Sequence, residues 1–120
     1  MDFNEYQKAA VSTAIYREAI DKVTTDTLAN KLLKLAYVGL GMGESGEVQG
    51  KIKKLIRDSG GVITPEIKQA IVGELGGLLW YVAACADELD IALDYVARYN
   101  VDQLRSRADR GVLKGSGDNR

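Results

Sequence analysis

Proline occurs once in this chain, at Pro65, and apolar residues recur at intervals of three and four along most of its length. That period lays one apolar stripe along each helix, whereas half-buried strands need alternation. Alternating β-branched runs are absent, so the chain reads as helices throughout. The first expected helix runs from about Phe3 to Lys22, with Asp2 as N-cap and Phe3, Tyr6, Ala10 and Ala14 on one face. Val23-Thr24-Thr25-Asp26 reads as a turn, with Thr25 or Asp26 capping a second helix that carries Leu28, Leu32, Leu35 and Ala36 as its stripe. Gly39, Gly41 and Gly43 then interrupt it. Each glycine costs a helix about 0.5–1 kcal/mol relative to alanine, which predicts a bend or a very close approach of another backbone or a ligand. Helix resumes from Glu44 to Arg57 and stops at Asp58-Ser59-Gly60-Gly61. Thr64-Pro65-Glu66 supplies a capping hydroxyl, a first-turn proline and an early acid, starting a third helix that runs to about Leu89. Asp90 is placed to cap a fourth, ending near Gly111. The expected fold is all-α: a bundle of four helices, or five if the glycines separate two, with short loops favouring antiparallel neighbours.

A chain of 120 residues is one domain, read here as a helical body over 1–113 and a polar tail over 114–120. Sixteen Lys and Arg against seventeen Asp and Glu give a net charge of −1, which argues against a globally basic nucleic-acid binder, so no DNA binding is expected. The chain has no histidine, which excludes histidine bases, triads and histidine-ligated zinc. Its single cysteine, Cys85, excludes an internal disulfide and reads as a core residue. The longest nearly apolar run, Leu78 to Ala86, is too short to span a bilayer, and the N-terminus has no signal pattern. The expectation is a cytoplasmic protein with no membrane partner. Any catalysis must rest on carboxylates, Lys, Arg, Tyr or a bound metal.

The carboxylates have a pattern. At 100° per residue Glu44, Glu47, Lys51 and Lys54 form a stripe beside Val48, Ile52, Leu55 and Ile56. On the third helix, Glu74, Gly77 and Tyr81 lie beside the stripe of Ile67, Ile71, Leu75, Leu78, Val82 and Leu89. Pairing the two helices along their apolar stripes brings Glu44, Glu47 and Glu74 toward one edge of the core. Carboxylates gathered there repel one another and resist desolvation, and a hard cation such as Mg²⁺ or Mn²⁺ relieves both. The same spacing also fits a solvated face, because Glu47 and Lys51 stand at i,i+4 in the favoured order. Spacing alone leaves both readings open.

Other residues sort by place. Lys53 reads as solvated, while Lys51 and Lys54 share the glutamate stripe. Trp80 reads as core. Tyr81 sits on the glutamate side, and Tyr37 and Leu40 precede the glycine bend. The acids from Glu74 to Asp94 serve helix capping and solubility. Asn100 on the fourth helix is placed to face the metal site. Arg107, Lys114 and Arg120 belong to a basic C-terminal stretch that reads either as a frayed end or as a lid.

Gly43-Glu44-Ser45-Gly46-Glu47-Val48 with Lys51-Ile52-Lys53-Lys54 resembles the first motif of the MazG-like family, all-α nucleoside triphosphate pyrophosphohydrolases. Glu74-Leu75-Gly76-Gly77-Leu78-Leu79-Trp80-Tyr81 resembles the second motif, and Asn100 to Arg107 the closing helix. Arg110-Gly111-Val112-Leu113 and the tail to Arg120 resemble small, often phage-encoded members. The likeness covers nearly the whole chain. It implies cleavage of a ribo- or deoxyribonucleoside triphosphate between its α- and β-phosphates, giving monophosphate and pyrophosphate, and a role in nucleotide-pool control. It further implies Mg²⁺ (or Mn²⁺) held by Glu44, Glu47 and Glu74, a metal-activated water, and a homo-oligomer, dimer or tetramer, whose pocket takes residues from a second chain. On that resemblance Lys51 and Lys54 are expected to meet the triphosphate, Tyr81 to stack on the base or donate to a phosphate, Tyr37 and Leu40 to line the base pocket, and the stretch with Arg107, Lys114 and Arg120 to close as a lid on the nucleotide of its own or a neighbouring subunit.

The chain departs from that pattern at Gly77, where the second motif carries aspartate. Glycine supplies no ligand and weakens the helix. Asp87 and Glu88 lie about 15 Å farther along the axis, too far to substitute. Three accounts stay open: a natural site using three glutamates and more water, a protein that binds nucleotide without turning it over, or a substitution introduced to inactivate an enzyme. A helical module with a purely structural role in assembly is the remaining alternative.

Overall fold

Asp2 opens the first helix as the sequence predicts. Its carboxylate accepts the Glu5 amide at 2.8 Å while the Glu5 carboxylate accepts the Asp2 amide at 2.7 Å, a reciprocal capping box. The computed structural model describes residues 1–120 and is all-helical. Its elements are α1 (Phe3–Val11), α2 (Tyr16–Val23), α3 (Thr27–Gly41), a 3₁₀ turn (Met42–Glu44), α4 (Ser45–Ser59), α5 (Pro65–Glu88) and α6 (Leu93–Asp109). Asp26 caps α3 by accepting the Ala29 amide at 2.8 Å, and Thr64 caps α5 by accepting the Ile67 amide at 3.2 Å, with Pro65 in the first turn. Gly60 and Gly61 end α4 in the left-handed region, at φ 60° and 81°.

Two expected boundaries move, both for tertiary reasons. The helix expected over Phe3–Lys22 breaks between α1 and α2. Ser12 and Thr13 turn their hydroxyls back onto the Ala9 and Ala10 carbonyls, and the Trp80 indole N–H donates to the Ala10 carbonyl at 3.0 Å. Such side-chain bonds offer the backbone an alternative to the helical ladder. Asp90 does not cap the last helix. It takes φ 57°, turning the chain out of α5, and Ala92 occupies the N-cap without a side-chain bond. The capping comes from α1 instead: Gln7 accepts the Leu93 amide at 3.0 Å and Asn4 accepts the Asp94 amide at 3.4 Å.

α5 is the central element. α1, α3, α4 and α6 all pack on it, and α2 packs on α3. By length and composition α5 is also the one helix able to cross a membrane, with mean hydropathy 1.3 in its best window. Glu74 sits within it; Ala83, Ala84 and Ala86 of its second half are buried among the other helices, while Val72, Leu75 and Leu79 are exposed. Ala10, Ala83 and Leu93 form one small core cluster; Tyr16, Val38 and Ala84 form another, with Trp80 packed against both. Gln7 is buried and fully bonded: its amide group donates to the Ile91 carbonyl at 2.9 Å and the Ala83 carbonyl at 3.3 Å.

The glycine run produces a turn and a close approach. α3 continues through Gly39 and Gly41, then tightens to 3₁₀ over Met42–Glu44. The Tyr81 ring rests directly against Gly41, where a Cβ would overlap it, while a Cβ at Gly43 meets open space. Gly41→Ala should therefore push α3 off α5 and cost about 1–3 kcal/mol. Gly43→Ala should be neutral or stabilising by up to about 1 kcal/mol. Urea denaturation of the two variants separates them.

Candidate functional site

α4 and α5 are joined by the short loop 60–64 and pack side by side, which sets their polar edges next to each other. Lys51 of α4 reaches Glu74 of α5, Nζ to Oε1 at 3.7 Å, so the helical-wheel placement of both residues on one edge holds across the pair. Glu47 makes no ion pair with Lys51; the lysine turns to the neighbouring helix instead. Glu44 ends the 3₁₀ turn and Glu47 lies in the first turn of α4; both are exposed, while Glu74 is half-buried. Burial pushes the Tyr81 hydroxyl above its ordinary pKa, helped by neighbouring Tyr37 and by the charge of Glu44. Tyr37 stacks on Tyr16 with ring centroids 4.6 Å apart. One edge of the molecule therefore carries Tyr37, Tyr81 and Glu44 at one end and the Lys51–Glu74 pair further along. Gly77 lies between Glu74 and Tyr81 on α5, and a Cβ there meets nothing within 4 Å.

Glu44, Glu47 and Glu74 offer the oxygen donors a hard cation prefers. No three acidic side chains of a single chain are gathered closely enough to hold a metal ion by themselves.

The remaining expected site residues fall elsewhere. α6 packs on α1 and α5 and does not touch α4. Asn100 is exposed on α6, and Arg107, Lys114 and Arg120 lie at its C-terminal end and in the tail. The tail hooks back onto α6. Arg107 donates to the Asp118 carbonyl at 3.5 Å, Arg110 to the Arg120 carbonyl at 2.8 Å, and Arg120 to the Val112 and Gly117 carbonyls at 3.2 and 2.7 Å. Within one chain the arginines of this hook form a second basic locus, separate from the α4–α5 edge. Lys54 is exposed on α4. Trp80 and Cys85 are partly buried against the core clusters, as expected.

One polar cluster escaped the sequence reading. Tyr16 donates its hydroxyl to Glu88 at 2.5 Å, and Arg17 donates to Glu88 at 2.8 Å and to Asp87 at 2.7 Å. The Glu88 side chain is only 9% exposed. Burial, and then the Glu88 carboxylate, raise the Tyr16 pKa far above that of free tyrosine. These contacts pin α2 to the C-terminal end of α5. No local pattern signals them, because the partners stand about seventy positions apart in the sequence.

Fold and edge together define a small all-helical protein with an acidic and lysine-bearing face on its central hairpin. The chain is 46% identical over 121 residues to the "Gene 37 protein" of Mycobacterium phage L5, and the match covers 100% of both chains. The chain belongs to the family of that phage protein. No family profile matches it. No solved structure matches it either.

Proposed function

We propose that the protein hydrolyses ribo- or deoxyribonucleoside triphosphates to monophosphate and pyrophosphate, with Mg²⁺ or Mn²⁺, as a MazG-like homo-oligomer acting on nucleotide pools in a phage-infected host cytoplasm. The observation that carries this reading is the pairing of Lys51 with Glu74 across α4 and α5, on the edge that also holds Glu44 and Tyr81. It joins residues of the first and second motifs on one edge. Glu44, Glu47 and Glu74 supply negative oxygen donors, Lys51 and Lys54 supply charge for phosphate oxygens, and Tyr81 offers a ring and a hydroxyl to the nucleotide. Asn100, Arg107, Lys114 and Arg120 enter this reading as contributions from the closing helix and tail, reaching the edge of a neighbouring copy.

A second reading is nucleotide binding without turnover. It is favoured by the open space beside Gly77, where the second motif has its aspartate, and by the separation of the three glutamates in one chain. Both readings require nucleotide to bind the native state, and such a ligand must raise the melting temperature. A nucleoside triphosphate with Mg²⁺ at about 100 times its dissociation constant should add about 2.7 kcal/mol of stability. No shift with any of the eight common nucleoside triphosphates, with or without metal, would leave assembly as the protein's role.

A further inference from the structure

Lys51 has a choice of carboxylates. Glu47 stands one turn before it on α4, at the spacing that favours a pair along one helix. The ammonium reaches instead across the helix interface to Glu74, Nζ to Oε1 at 3.7 Å. Glu74 is half-buried where Glu44 and Glu47 are exposed, and a carboxylate drawn partly out of water gains most from a counter-ion. The contact is loose all the same. It is longer than the roughly 2.7–2.9 Å of a charge-assisted hydrogen bond, and the lysine side chain is 41% exposed.

The same carboxylate is the one a metal needs. Gly77 follows Glu74 by one turn and brings no oxygen, so Glu74 is the one acid of α5 between Ile67 and Ala86. Mg²⁺ holds carboxylate oxygens at about 2.1 Å. A cation on Glu74 Oε1 therefore stands within about 6 Å of the Lys51 ammonium, inside the roughly 8 Å Debye length, where like charges repel with little screening. One of the two must give way. The lysine is the mobile one, a compact charge on a flexible stem, and the phosphates of a nucleotide offer it a new anion.

We propose that Lys51 is a displaceable counter-ion: it neutralises Glu74 in the free protein, a divalent cation takes that carboxylate from it, and the freed ammonium moves to the triphosphate that arrives with the metal. This rests on the metal and nucleotide reading given above and adds how the edge is kept from filling with metal alone. Metal and triphosphate binding are then coupled through one side chain, and the coupling is reciprocal.

The test is binding of Mn²⁺ to the full chain, read from the electron paramagnetic resonance signal of the free ion, and of Mn²⁺·tripolyphosphate, read by calorimetry. Lys51→Met should tighten binding of Mn²⁺ alone about tenfold and weaken binding of Mn²⁺·tripolyphosphate about tenfold, within the roughly 5–150-fold span of coupling between two sites. Lys51→Gln should do the same. Lys53→Met removes a charge from an exposed position of the same helix and should change each affinity by less than about twofold. Equal Mn²⁺ affinity in wild type and Lys51→Met overturns the proposal and leaves the metal reading standing. A shift as large in Lys53→Met overturns it too, because net charge then explains the change. Tighter Mn²⁺ with unchanged Mn²⁺·tripolyphosphate overturns the transfer of the ammonium to phosphate. No Mn²⁺ binding by any of these chains overturns the proposal together with the reading it rests on.

Discussion

Glu74→Gln should lower pyrophosphate release from nucleoside triphosphates on the order of 100-fold or more, while leaving the melting temperature nearly unchanged. The asymmetry follows from the surroundings of Glu74. Its one ionic partner is Lys51 at 3.7 Å, with side chains 27% and 41% exposed, and such a pair contributes at most about 1 kcal/mol to stability. The proposed hydrolysis, by contrast, gives its carboxylate a direct part in the chemistry. Gly77→Asp is the converse change. The position is open, so an aspartate enters without overlap, and a glycine leaves a helix interior, which helps stability by a few tenths of a kcal/mol. Release should rise at least about tenfold if a carboxylate there completes the site. A fall in both rate and stability for Glu74→Gln would reassign Glu74 to a structural part.

The second large effect concerns stability. Arg17→Met should destabilise the protein by about 2–4 kcal/mol, because Glu88 stays buried with only the Tyr16 hydroxyl as partner. For a chain of this size that lowers the melting temperature by roughly 8–15 °C. Adding Glu88→Gln removes the stranded charge and should restore part of the loss. Lys22→Met serves as the control. Its pair with Glu18 is at the surface, with side chains 75% and 81% exposed, and is worth under about 0.5 kcal/mol. A loss no larger for Arg17→Met than for Lys22→Met would show that the cluster does not hold α2 in place.

Local signals were the legible ones. Asp2, Asp26 and Thr64 cap within three residues of themselves, and Gly60 and Gly61 end α4 by their own backbone freedom, so all could be read along the chain. That the polar edges of α4 and α5 meet was legible for a related reason: a short loop forces the two helices together, and helical periodicity fixes which edges meet; the Lys51–Glu74 ion pair itself was not, because the i,i+4 spacing pairs Lys51 with Glu47. What the sequence hid depends on distant partners. The break after Val11 needs the Trp80 indole, and the start of α6 needs Gln7 and Asn4 of α1. Gln7 reads as an ordinary polar helix residue, yet it is buried and serves three backbone groups. Asn100, Arg107 and the tail look in the sequence like members of the glutamate site. Their helix packs on α1 and α5 and not on α4, so one chain keeps them apart from the glutamate stripe. The resemblance joins them through a second subunit, which is a matter of assembly rather than of local pattern.

The most direct measurement is pyrophosphate release from all four ribo- and all four deoxyribonucleoside triphosphates, with Mg²⁺ or Mn²⁺, by this chain and by Gly77→Asp. The account predicts monophosphate and pyrophosphate in equal amounts from at least one nucleotide, lost in Glu74→Gln and increased in Gly77→Asp. Silence from both chains with every nucleotide would contradict it.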